Sequence, residues 1–308
     1  MSRWTADDIP DQSGRTALVT GANSGLGFHT ALALARKGAH VLLGCRDAGR
    51  GQGALERIQN QAPSATVELV SLDLADLTAV RAAAGDVASR VPGLDLLVAN
   101  AGVMALPYRT SADGFEMQLA TNHLGHFALS GLLLPTQRRG HDPRDVVTSS
   151  IMHAIGRINL DNLSPSKASY HRWPAYGQSK LANLLFMREL QHRSDARDWG
   201  LLCAAAHPGY ASTNLQMAGP AMSGSRLGGL ASKAGNALLG QSDAQGALPQ
   251  LYAATMPDVS PGDLWGPDGP MQARGYPTRQ SGRKTAYDDD MARRLWERSE
   301  QLTGVHYA

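Results

Sequence analysis

A tyrosine and a lysine stand one helical turn apart in Tyr176-Gly177-Gln178-Ser179-Lys180. At i and i+4 they share one face of a helix. A phenol with its ordinary pKa of about 10 is a poor base at neutral pH. A nearby ammonium stabilises the phenolate and lowers that value. A tyrosine so tuned can protonate a developing alkoxide, or take a proton from an alcohol in the reverse direction. The spacing alone is common on exposed helices. Its setting gives it weight: Thr148-Ser149-Ser150 precedes it and His207-Pro208-Gly209 follows it, each at the end of an apolar run.

A second constellation lies near the N-terminus, in Thr20-Gly21-Ala22-Asn23-Ser24-Gly25-Leu26-Gly27. It sits between the apolar run 16–20 and a helical pattern. Glycines let the backbone come close to a ligand, and the helix start behind them offers free N–H groups to a pyrophosphate. The strand–loop–helix setting makes this a dinucleotide cradle. Cys45 and then Arg46 occupy the end of the next apolar run, where an NAD site commonly places a carboxylate for the ribose 2′-hydroxyl. A guanidinium there suits a 2′-phosphate, so NADP(H) is expected ahead of NAD(H), with Asp47 as the competing ribose ligand. Asp73 could accept from an adenine amino group, with Leu74 packing on the ring. Asn100-Ala101-Gly102 supplies small residues for a close backbone approach.

Both constellations need a scaffold, and the apolar pattern supplies one. Runs at 16–20, 40–44, 66–71, 94–99, 145–149 and 201–206 are almost continuously apolar, as parallel strands covered on both faces should be. Helical patterns fill the intervals at 26–37, 50–61, 77–90, 114–134 and 175–193. Repeated βα units imply one α/β domain over 1–308, a doubly wound Rossmann sheet of about seven mainly parallel strands with helices on both faces. A polar insertion at 155–174 and a Gly-, Ser- and Met-rich stretch interrupt the rhythm; the latter reads as a substrate lid at about 210–241. Asp288, Asp289 and Asp290 complement the dipole at the start of a helix near the C-terminus.

Composition narrows the function classes. Lys and Arg number 29 against 27 Asp and Glu, an even balance without a nucleic-acid footprint. Cys45 and Cys203 sit in apolar runs and suggest neither a disulfide framework nor a zinc site. Asp7, Asp8 and Asp11 stand where a signal or anchor would need an apolar stretch. These features predict a cytoplasmic protein without a membrane partner. His123 and His126 lie one turn apart, but no third ligand is in view; they are expected as core or surface residues, with no metal site.

TGANSGLG, DL, NAG, TNHLGHF, TSS, YGQSK and HPG, in this order, give the chain a resemblance to the short-chain dehydrogenase/reductase family from about Gly14 to about Ala254. CRD after the second strand, NHLGHF and SKLANLLFMREL make it most similar to the branch of retinol dehydrogenases, WW-domain oxidoreductases and protochlorophyllide reductases. The resemblance implies Tyr176 as acid/base. It implies that Lys180 lowers the phenol pKa and holds the nicotinamide ribose. Ser150, in preference to Ser149, would bond the substrate oxygen, and Asn122 would hold a water extending a proton relay from Lys180. Pro208, Gly209 and Thr213 would flank the nicotinamide carboxamide. In this family the helices at 114–134 and 175–193 commonly pair across subunits, so a homodimer is possible, although the insertion ahead of Tyr176 could obstruct it. The membrane anchor of retinol dehydrogenases is not expected here, and GPDGPMQARGYP does not resemble their corresponding stretch, so their substrate is not expected to carry over.

The expected activity is NADP(H)-dependent reduction of a carbonyl, or oxidation of the alcohol, on a mostly apolar small molecule. His153, Tyr210, Leu215 and Met217 are expected to line its pocket, since apolar walls with flexible Met accept bulky ligands. Two alternatives are a reductase of an activated C=C or C=N bond and an NADP(H)-binding regulator without turnover. The complete Ser150, Tyr176 and Lys180 set argues against the regulator.

Overall fold

A computed structural model describes residues 3–210 and 241–307. Eight strands form one sheet in the order β3-β2-β1-β4-β5-β6-β7-β8. These are β1 (Thr16–Thr20), β2 (His40–Cys45), β3 (Val67–Ser71), β4 (Leu96–Ala99), β5 (Arg144–Thr148), β6 (Leu202–Ala206), β7 (Leu264–Pro267) and β8 (Pro277–Gln280). All neighbours pair in parallel except β7 and β8. The antiparallel last strand starts on Pro277, which is tolerated because it lies at the sheet edge. Winding reverses between β1 and β4, so a crevice opens beyond their C-terminal ends, where this architecture binds its ligands.

Helices cover both faces. On one side α1 (Gly25–Arg36), α2 (Ala48–Gln61) and a later helix, α8 (Leu248–Thr255), pack around Leu34, Val41, Ile58, Val98 and Leu251. On the other, α3 (Leu77–Arg90), α5 (Gly125–Gln137) and α6 (Arg172–Ala196) enclose Leu18, Leu97, Leu129, Leu185 and Cys203. The remaining α-helices among the described residues are the short α4 (Met117–Leu119), α7 (Asp243–Gly246) and the C-terminal α9 (Asp289–Thr303). Local chemistry sets several ends. Asp47, Asp76 and Asp288 cap α2, α3 and α9 by accepting main-chain N–H bonds, and Gly304 closes α9 in the left-handed conformation.

The pattern at 114–134 resolves into two helices joined by a π-helical turn, Ala120–Leu124. Such single turns displace one carbonyl from the α ladder and recur at functional sites. The helix expected from Ala175 begins earlier, at Arg172. It is buried almost all round, because α9 lies across it. Trp296 of α9 is 1% exposed and packs against Phe127 of α5 and Phe186 of α6, with ring centroids 5.0 and 5.8 Å away. Tyr307 adds a hydrogen bond to Phe127 O at 2.6 Å. The two helices expected to pair across subunits are thus covered by the chain's own C-terminal helix, and a dimer formed through them would have to displace it.

No helix among the described residues is long and apolar enough to cross a membrane. Most of the expected lid lies outside the described residues, with Thr213, Leu215 and Met217.

Candidate active site

The glycine loop joins β1 to α1 at the winding reversal. Gly21 has φ +68°, a conformation that side chains disfavour. A Cβ on Gly27 would meet Gly21 O at 2.5 Å and Asn100 Nδ2 at 2.6 Å. Only glycine allows this contact between helix and strand ends. Ser24 stands at the N-cap with an extended backbone, and its hydroxyl makes no capping bond. The first-turn N–H groups of Gly25, Leu26 and Gly27 have no carbonyl within the helix to receive them. Asn23 flanks the loop beside the Cys45 thiol. Asn100 N and Ala101 N donate to Thr20 Oγ1 at 3.0 and 2.9 Å, which holds the β4 end against the β1 end. This donor-rich, Cβ-free cradle fits a dinucleotide pyrophosphate.

At the ribose end, burial pushes the Cys45 thiol up to about 11, so it brings no negative charge at neutral pH. The Asp47 carboxylate caps α2 through Arg50 N at 2.8 Å and pairs with the Arg50 guanidinium at 3.2 Å. Arg46 is exposed and forms no ion pair among the described residues. Asp73 accepts from Ala75 N at 2.9 Å in a tight turn. Leu74 is placed differently from the expectation of adenine packing: it is 5% exposed, part of the core between the sheet and α5.

The chemical end is built where β4, β5 and α6 converge. Ser149 Oγ donates to Lys180 O at 2.8 Å, so that hydroxyl secures the helix. The Ser150 side chain instead stands near enough to the Tyr176 phenol to lower its pKa. Lys180 Nζ donates to Thr148 O at 3.0 Å and lies 5.9 Å from the Tyr176 ring centroid. A Cβ on Gly102 would stand 3.5 Å from Nζ and 3.2 Å from Asn122 Oδ1, which brings Gly102, Asn122 and Lys180 to one point. Nζ has N–H bonds beyond the one on Thr148 O, which suits a ribose diol.

The electrostatics differ from the sequence expectation. Burial pushes Tyr176 up to about 12, and the nearby Ser150 works against it. Burial also pushes Lys180 down to about 8. The ammonium bonds a backbone carbonyl, Thr148 O. Tyr176 is accordingly a protonated acid at neutral pH, the state needed to donate to a carbonyl oxygen.

Asn122 also has another task than the expected water. Its Oδ1 accepts from Val103 N at 2.8 Å, and its Nδ2 donates to Val103 O at 3.0 Å and Ser179 Oγ at 2.9 Å. The amide clamps the loop after β4 onto α6. Its main-chain carbonyl, in the π-helical turn, lies 3.2 Å from His126 Nδ1, while His126 Nε2 meets Thr20 Oγ1 at 2.9 Å. His123 and His126 are core residues, pushed down to about 3 and 4 by burial. Gly209 has φ +64°, and Pro208 O accepts from Gln241 Nε2 at 2.6 Å. Tyr210 is half-exposed at the sheet's C-terminal rim. His153 is buried and engaged through both ring nitrogens.

Sequence reasoning missed Gln250 of α8. It accepts from Thr148 Oγ1 at 3.0 Å and donates to Asn100 Oδ1 at 3.2 Å, tying together the ends of β5 and β4. It also missed the anchoring of the insertion: Tyr170 donates to Leu106 O at 2.7 Å, and Gln178 Nε2 to Leu163 O at 2.7 Å. A glutamine inside an apolar helical run was the available signal for the first.

The short-chain dehydrogenase family model matches residues 15–223, which span the cradle and the Ser150, Tyr176 and Lys180 cluster. The chain belongs to this family. Human retinol dehydrogenase 13 is 37% identical over 298 residues, covering 95% of this chain and 85% of that protein. Mouse retinol dehydrogenase 11 is 44% identical over 202 residues, 66% of this chain and 63% of that one. These relatives place the chain in the retinol dehydrogenase branch. A crystal structure of an uncharacterized protein from Mycobacterium paratuberculosis superposes with a TM-score of 0.82 at 41% identity, over 100% of both chains. A gluconate 5-dehydrogenase-like structure from Beutenbergia cavernae with bound NADP has a TM-score of 0.64 at 25% identity, covering 82% of this short-chain dehydrogenase and 95% of its own chain.

Proposed function

We propose that this short-chain dehydrogenase is an NADP(H)-dependent oxidoreductase that reduces the carbonyl of a mostly apolar small molecule, or oxidises the corresponding alcohol. The carrying observation is that Ser150 and Tyr176 converge, both buried, with a phenol that stays protonated. The cofactor, when bound, supplies or accepts the hydride. Gly21, Asn23, Ser24 and the α1 N-terminus would hold its pyrophosphate, and Lys180 its nicotinamide ribose.

The chain's own residues handle the oxygen. Ser150 Oγ hydrogen-bonds the carbonyl oxygen and places it beside the phenol. Tyr176 donates its proton to that oxygen while the carbon receives hydride, so an alcohol forms with two electrons and one proton accounted for. In the reverse direction the phenolate takes the alcohol proton. Lys180 at about 8 is mostly an ammonium at neutral pH and favours that phenolate once it forms.

Three features support NADP(H): the neutral Cys45 thiol, the committed Asp47 carboxylate and the Arg46 guanidinium, which forms no ion pair among the described residues. The Beutenbergia relative binds NADP. An apolar substrate accords with retinol, the alcohol named for the similar dehydrogenases. The test is NADPH oxidation with an aryl or terpenoid ketone against a small anionic carbonyl. A higher kcat/KM for the apolar compound is expected; a clear preference for the anionic one contradicts the proposal.

A further inference from the structure

Ser150 ends β5 and caps a short 3₁₀ turn, Ile151–Ile155, by accepting from Met152 N at 3.2 Å. His153 lies in that turn and is 6% exposed. Its Nδ1 is 2.7 Å from Ser150 O. A carbonyl can only accept, so Nδ1 carries the hydrogen. Its Nε2 is 3.3 Å from the main-chain nitrogen of Arg283. That N–H can only donate, so Nε2 holds the lone pair. Both contacts require the same neutral tautomer. Burial and the Arg283 charge hold the imidazole pKa below its ordinary value, against the opposing bond to Ser150 O.

Arg283 belongs to the segment after β8, well beyond the residues that the family model matches. The segment fits closely. A Cβ on Gly282 would lie 3.6 Å from His153 Nε2, and Gly282 N donates to the Tyr287 hydroxyl at 2.9 Å. His153 therefore links a C-terminal segment to the main chain of the serine that lies beside Tyr176.

We propose that His153 is a positioning residue for the reaction: bonded to Ser150 O on one side and Arg283 N on the other, it fixes the backbone from which Ser150 Oγ reaches the Tyr176 phenol. This rests on the reading of Ser150 and Tyr176 given above. His153 touches neither hydride nor substrate, and its effect passes through Ser150.

Three variants separate the two bonds. His153→Asn keeps an N–H donor near the Nδ1 position but cannot reach Arg283. His153→Gln offers an acceptor near Nε2 and leaves Ser150 O without its side-chain donor. His153→Ala removes both. With a carbonyl substrate, kcat should fall about 10-fold in His153→Ala and His153→Gln and return to within about 3-fold of wild type in His153→Asn. KM and the NADPH Kd should stay within about 2-fold. In a Ser150→Ala background, His153→Ala should cost nothing more, since the coupling runs through Ser150. Wild-type kcat in His153→Ala, equal losses in the Asn and Gln variants, or an undiminished loss in the Ser150→Ala background overturns the proposal. If wild type turns over no carbonyl compound, the proposed function has failed, and the clamp is then judged by ¹⁵N NMR of the imidazole, assigned by difference against His153→Asn. A neutral Nδ1–H ring that resists protonation on acidification is expected; an Nε2–H ring overturns the clamp.

Discussion

The two ends of this site are held in different ways. The cradle for the dinucleotide is local: Gly21 to Gly27 span one loop and the first turn of the helix behind it, and its donors are main-chain N–H groups. The proton-donating end is assembled from distant segments. Ser150 and Tyr176 flank an insertion, Asn122 clamps the loop at Val103, Gln250 ties in from α8, and Arg283 reaches His153 from beyond β8. A phosphate needs only oriented N–H groups, which a helix start provides. A proton donor needs a fixed direction and a dry pocket, and those require packing from several sides.

The sharpest way to break this contrast is Tyr176→Phe. The ring stays, so the pocket and the cradle stay, and only the proton donor goes. kcat should fall by about 10²- to 10⁴-fold while NADPH affinity holds. A variant that keeps most of its kcat removes Tyr176 from the acid role.

Trp296→Ala tests the long-range support. Trp296 fills the junction of α5, α6 and α9, and its loss should cost about 3–5 kcal/mol, a drop in Tm on the order of 10 °C. It should also uncover the apolar faces of α5 and α6 and increase self-association in sedimentation. An unchanged Tm and sedimentation profile would show that the helix cover contributes little.

Arg46→Ala acts at the local end only. Loss of a charge-assisted bond should lower kcat/KM for NADPH by about 10- to 100-fold and leave NADH nearly untouched. If wild type uses both cofactors equally, the 2′-phosphate assignment is wrong.

The smallest effect is in the pH profile. Lys180 is pushed from its ordinary 10.5 to about 8, so its ammonium is present below that value and lost above it, while Tyr176 at about 12 stays protonated throughout. kcat for carbonyl reduction should decline above pH 8, by up to about 10-fold per unit. Lys180→Arg, whose charge does not titrate there, should flatten that limb. A flat wild-type profile to pH 10 excludes Lys180 as its source.

The same contrast decides what the sequence revealed. β1 to β6 were legible because buried parallel strands are short apolar runs, and the glycine loop because its signal is contiguous. Tyr176 and Lys180 were legible through one helical spacing. β7 and β8 were not assigned: Leu264–Pro267 is short and holds Gly266 and Pro267, while Pro277–Gln280 has the polar composition of an exposed edge. The cover by α9 was hidden because Trp296 contacts residues far away in sequence. The contacts of Asn122 and His153 were hidden for the same reason, since each is made to a partner from another element: Val103 and Ser179 for one, Arg283 for the other. The expected ammonium effect on Tyr176 assumed that the pair's spacing fixed its interaction. Lys180 instead bonds Thr148 O, and burial decides the phenol.

The central claim is that this site moves a hydride to a carbonyl carbon while Tyr176 supplies the proton. Its most direct test uses NADPH deuterated at the transferable position of the nicotinamide, an apolar ketone or aldehyde, and mass spectrometry of the product. Wild type should give an alcohol carrying one deuterium on the former carbonyl carbon, and Tyr176→Phe, still binding NADPH, should give almost none. Deuterium found instead on a carbon beside an intact carbonyl, or equal labelling by both proteins, contradicts the account.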